Sequence, residues 1–157
     1  MKYIPTSVLL LILFLTGCDK PKEFTLIFTM ESVNNYKISM ELDKDKNYLI
    51  RQQFIFFDTY AGRERINTSE GRMTDEDYEQ LSELVSSSRL FKMKDAYGFD
   101  READEDSQHI DVIFQLIYAE GRKIKYISIR TNPADRFPES FLQLLTFLNN
   151  YVSDNFS

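Results

Sequence analysis

Asp100, Glu102, Asp104 and Asp106 recur at every second position, and Asp111 follows. Counted from Asp100, the carboxylates fall at positions 1, 3, 5, 7 and 12, the spacing at which hard oxygen ligands wrap Ca²⁺ in a helix–loop–helix site. The rest of the pattern is wrong for that chemistry. Position 6 is Glu105 where the loop needs a glycine for its turn, Asp111 is shorter than a bidentate glutamate, and a strand-like stretch follows instead of a helix. The run therefore reads as a solvated acidic loop. Asp43, Asp45 and Asn47 open a similar D-x-D-x-N pattern, but they join two strand-like stretches and read as a turn.

His109 is the only histidine. A Ser-His-Asp triad would have to use it, yet there is no G-x-S-x-G elbow. A zinc site would have to combine it with carboxylates. Alternation with Ile110 and Val112 puts His109 on the polar side of a strand beside Asp111. A carboxylate pair could hydrolyse a glycoside, but in a chain with 25 acidic residues proximity alone means little. There is no glycine-rich phosphate loop. These residues assign no catalytic group, metal or cofactor. Tyr60, Tyr97 and Phe99 fall in expected loops or strand ends. Tyr97 and Phe99, with Asp100, Glu102, Asp104 and Asp106, form the expected contact surface for a partner, since aromatics are enriched at interfaces.

Charge narrows the partner. The chain has 19 Lys+Arg against 25 Asp+Glu. That balance argues against nucleic acid, whose phosphates need a basic face, and against the domain lying directly on anionic lipid. Tyr and Phe are abundant while Trp is absent, which weakens a carbohydrate platform.

The elements that must position these residues follow from periodicity. Phe24, Leu26, Phe28 and Met30 alternate with polar residues, with Ile27 breaking the pattern. Tyr36, Ile38, Met40 and Leu42 alternate in the same way. Period 2 with one apolar side marks a strand half-buried in an antiparallel sheet. Tyr48 to Phe57 reads as a third strand, apolar on both sides near its end and so central. Gly62 to Met73 reads as a charged edge strand. Thr74 is a suitable N-cap for a helix over Asp75 to Ser88, with Asp77 at N3 and a stripe of Tyr78, Leu81, Leu84 and Val85. Ile110 to Tyr118 and Arg122 to Arg130 form a hairpin about Glu120-Gly121. The apolar parity changes between Tyr126 and Ile127, which predicts a bulge or burial on both faces. Pro138 suits the first position of a last helix that carries Phe141, Leu144, Leu145, Leu148, Tyr151 and Val152. The order ββββ-α-ββ-α predicts an α+β domain, a single antiparallel sheet of about six strands with two helices packed on one face.

The opening of the chain has a different character. Lys2 is followed by an unbroken apolar run, Val8 to Leu15, and then Leu15-Thr16-Gly17-Cys18. The run is too short for a hydrocarbon core of about 30 Å, which needs about 20 helical residues. It has the layout of a cleaved targeting segment. Leu15-Thr16-Gly17-Cys18 resembles the lipobox of bacterial lipoproteins. The resemblance implies a signal peptide over residues 1–17, an acylated tether over 18–22, and one domain over 23–157. Cys18 would become the mature N-terminus and carry the lipid that holds the protein to the membrane, outside the cytoplasm, in the cell envelope. No cysteine would be left for a disulfide, and loss of Lys2 would leave 18 basic against 25 acidic residues. Asp19 resembles an inner-membrane retention signal, but lineages read that position differently, so inner and outer membrane both stay open.

Gly71 and Thr74, then Tyr78, Leu81 and Leu84, then Phe91, Asp95 and Tyr97, ahead of a hairpin and a C-terminal helix, resemble a family of small uncharacterised bacterial secreted proteins and lipoproteins. The matching positions are structural, so the likeness implies a fold and no activity. The expected function is a non-catalytic binding module on a lipid tether, with a basic envelope protein as the expected partner. An immunity-type inhibitor of a toxic enzyme is one alternative, and a small hydrolase using a carboxylate pair or His109 is another.

Overall fold

The structure, a computed structural model, describes residues 23–32, 35–54, 65–99, 112–130 and 137–156. The proposed signal peptide and tether, Tyr60, and the run from Asp100 to Asp111 with His109 lie outside them.

Seven strands form one sheet: β1 (Phe24–Ser32), β2 (Tyr36–Leu42), β3 (Asn47–Phe54), β4 (Arg65–Arg72), β5 (Ala96–Tyr97), β6 (Val112–Glu120) and β7 (Lys123–Arg130). Two helices, α1 (Asp75–Ser88) and α2 (Glu139–Asp154), complete the domain. The strand order is β4-β3-β2-β1-β6-β7-β5, which puts β1 at the centre. All neighbours pair antiparallel except β5, which runs parallel to β7.

The sheet is therefore mixed and has one strand more than periodicity predicts. Two residues are too few to show alternation. β5 forms because its neighbours fasten it: the Ser128 amide donates to the Asp95 carbonyl (2.8 Å), and the Lys125 ammonium donates to the Met93 carbonyl (2.6 Å) and pairs with the Asp95 carboxylate. β4 is an edge strand, as its polarity predicts, but β3 lies next to it and is not central. The parity change in β7 is neither a bulge nor burial on both faces. Its register with β6 is unbroken from Glu120↔Lys123 to Ile113↔Arg130, and Ile124 and Tyr126 are left exposed.

One face of the sheet builds the core. Leu26, Phe28, Met40, Ile50, Leu116 and Ile127 project from it into a cluster with Tyr78, Leu81 and Val85 of α1 and Phe141, Leu144, Leu148 and Val152 of α2. α1 starts as its sequence dictates. Thr74 Oγ1 accepts from the Asp77 amide (3.1 Å) and donates to the Asp77 carboxylate (2.7 Å), and Asp75, Glu76 and Asp77 sit at the positive end of the dipole. α2 starts one residue later than predicted. Pro138 is its N-cap, and the Pro138 carbonyl accepts from Phe141 and Leu142. The Ser88 hydroxyl ties the helices together: it lies against the Leu84 carbonyl (2.6 Å) and the Ser140 carbonyl (3.0 Å).

Gly71 has a reason to be glycine. Opposite it in register, Tyr48 sends its ring across the strand, donates its hydroxyl to Asn155 Oδ1 (2.8 Å) and meets Tyr151 edge-on. A Cβ on residue 71 would stand 2.7 Å from the Tyr48 hydroxyl oxygen and 2.8 Å from Cζ. Gly71→Ala should therefore cost about 1–3 kcal/mol as an overpacked site, read as a thermal midpoint several degrees lower. In a Tyr48→Leu background the same change should cost clearly less. An equal cost in both backgrounds would show that the clash is not the cause.

Candidate functional site

The two faces of the domain differ in charge. α1 carries Asp75, Glu76, Asp77, Glu79 and Glu83, and α2 carries Glu139 and Asp154, with no lysine or arginine in either helix. Asp75 alone has a described cation against it, Lys46 from the β2–β3 turn at 2.7 Å. Between the helices runs a groove of about 550 Å³ that Asp77, Glu139 and Asp154 share with Leu142 and Phe147. The strands carry the opposite balance, seven basic residues against four acidic ones. Among the described strands and helices, the acidic excess thus lies on the helical layer.

The face of the sheet opposite the helices, which no described element covers, is organised in cross-strand rows. Leu49, Glu41, Ile27, Ile117 and Tyr126 stand side by side in register, and Thr25, Ala119 and Ile124 form the row nearer the start of β1. Ile27, Ile124 and Tyr126 are exposed, the last two by 57% and 58%. The next row is polar, Thr68, Arg51, Ser39, Thr29, Gln115 and Ser128, and the one after it mixes Ile66 and Ile113 with Gln53, Lys37, Glu31 and Arg130. Its charged residues are Lys37, Arg51, Arg72 and Arg130 against Glu31, Glu41 and Glu70, so this face is nearly neutral. Lys37 pairs with Glu31 (3.6 Å) and Arg51 with Glu41.

The residues singled out in the sequence fare differently. Tyr97 is half-buried. Its ring meets Phe137 edge-on at 5.0 Å, and its hydroxyl accepts from the Lys94 amide (3.0 Å), so it helps to close the core margin. Phe99 is exposed by 43%. The strand after the acidic run begins at Val112, opposite Ser32, at the end of β1 remote from Phe24. Asp43 serves its own turn: Oδ1 accepts from the Asp45 and Asn47 amides (2.8 and 2.9 Å) and Oδ2 from the Asn47 side chain (2.9 Å). Gly71, Thr74, Tyr78, Leu81, Phe91, Asp95 and Tyr97 all make packing, capping or fastening contacts. The exposed row on the open face went unread, although Ile27 and the parity change at Tyr126 were its signal.

The described groups whose titration is shifted move further from neutral pH. The hydrogen bond from Asn47 holds the Asp43 carboxyl below its ordinary range, and Lys46 does the same for Asp75. Burial pushes the Tyr118 hydroxyl up, with Glu120 adding to it, and pushes Tyr151 up to about 12. Each shift reinforces the form already present near pH 7, the opposite of what a general acid or base needs. Among the described residues, no group of three or more His, Cys, Asp or Glu is placed to hold a metal, and no helix is long and apolar enough to cross a membrane. No protein-family model matches the chain, and no curated protein matches it.

Proposed function

We propose that the protein is a lipid-anchored module of the bacterial cell envelope that binds a basic macromolecule and does no chemistry on it. The observation that carries this reading is the charge segregation: seven carboxylates and no basic residue on the paired helices. Such a face attracts a basic surface from a distance and raises its encounter rate, while apolar contacts such as Leu142, Phe147 and Phe99 slow release. Capping a toxic enzyme with a basic active site is one form of this activity.

The test is kinetic. A basic protein captured from the protein's own envelope should associate roughly tenfold more slowly with the Glu76→Gln, Glu79→Gln, Glu83→Gln variant at low salt, with the difference shrinking as salt is added. Association that ignores both charge and salt would remove the basis of the reading. Turnover of an envelope substrate that is lost in His109→Ala, with the fold kept, would replace it with the hydrolase.

A further inference from the structure

We infer that the open face of the sheet rests on the bilayer, with the exposed residues Ile27, Ile124 and Tyr126 as its contact. The inference rests on the lipid anchor proposed above and specifies how the domain is held. Two observations lead to it. First, five residues separate Cys18 from Phe24, so an extended tether reaches about 20 Å at most. It ends on β1, the central strand, and the exposed Ile27, Ile124 and Tyr126 stand on the β1–β6–β7 half of the two rows nearest that end, with Glu41 and Glu70 on the β2–β4 half. Beyond those rows comes the polar row of Thr29, and then a mixed row in which Ile66 and Ile113 stand with Gln53, Lys37, Glu31 and Arg130. The exposed cluster of Ile27, Ile124 and Tyr126 at the tether's end is held at high effective concentration against the lipid surface, while Ile66 stands alone at the far corner of the face.

Second, charge selects the face. The helical layer, with seven carboxylates, is repelled by an anionic leaflet. The open face is nearly neutral, with four cations against three anions. Among the described strands and helices, the excess of acid that argues against lipid contact lies on the helical side. Tyrosine, with an apolar ring and a polar tip, also suits the headgroup boundary. In this orientation the acidic helices face away from the membrane, toward the aqueous partner.

The chain has no tryptophan, so Tyr126→Trp introduces a single reporter. The mature protein is coupled through the Cys18 thiol to a maleimide lipid in phosphatidylethanolamine–phosphatidylglycerol vesicles. This sets the tether whether or not the natural chain is acylated; acylation itself is read separately by mass spectrometry. Tyr126→Trp emission should shift to the blue and be quenched by lipids brominated near the headgroup. Leu142→Trp, exposed on α2, should show neither effect. Ile124→Glu added to Tyr126→Trp should abolish the quenching with an unchanged circular dichroism spectrum. Ile124→Trp replaces Tyr126→Trp if that variant does not fold. Equal quenching of both reporters, or none of either, overturns the orientation. A blue shift that grows with protein concentration in the absence of vesicles also overturns it, in favour of a second copy on this face.

Discussion

Cys18→Ser should leave the chain unacylated and unprocessed. The thiol of Cys18 is the only one in the sequence, and a serine hydroxyl, far less acidic than a thiol, is a poor substitute nucleophile. The consequence for anchoring is all-or-none. Each buried CH₂ of an acyl chain contributes about 0.8 kcal/mol, and stable attachment takes more than one chain. No helix among the described residues can span a bilayer in its place. Mass spectrometry of the N-terminus decides the matter. A wild-type chain that is unmodified at Cys18, or that begins elsewhere, would sink the anchor and the localisation with it.

Phe28→Ala should have the largest effect on stability, about 3–5 kcal/mol. Phe28 is fully buried in the central strand. Its register partners are Met40 on one side and Leu116 on the other, and its ring lies 6.1 Å from that of Phe114. Truncation removes a ring from the core cluster that both helices join and leaves a cavity at a point where neighbours on two strands limit collapse. Domains have only about 5–15 kcal/mol in total, so the variant should sit near its unfolding threshold. Urea denaturation measures this, with the midpoint lowered and the slope unchanged. Phe99→Ala is the contrast. Phe99 is substantially exposed, so stability should change by less than about 0.5 kcal/mol while capture of the basic partner weakens. A loss below about 1 kcal/mol for Phe28→Ala would contradict the core described here.

Much of this protein was legible in its sequence because much of it is local. The start of α1 is written in Thr74, Asp77 and a stripe at helical spacing, all within one turn or two of each other. β1, β2 and β6 alternate because one face of each meets a core and the other does not. The edge position of β4 follows from its polarity, since unpaired strand edges tolerate charge. The proposed lipobox, Leu15 to Cys18, is likewise contiguous, so its reading needs no fold.

What the sequence could not decide depends on residues far apart in the chain. β5 exists because β7 lies beside it, a pairing of Tyr97 with Ile129 that no local pattern announces. Periodicity shows that β7 has apolar residues on both faces, but not whether the second face is covered; only the strand order and register leave Ile124 and Tyr126 exposed in line with Ile27. Charge behaves the same way. A sequence yields its sum, here an excess of acid, while the position of each charge depends on which elements pack side by side. Placing α1 beside α2 gathers seven carboxylates on one layer and leaves the opposite face nearly neutral. That segregation is a property of the tertiary structure, because it arises from packing between segments more than 50 residues apart.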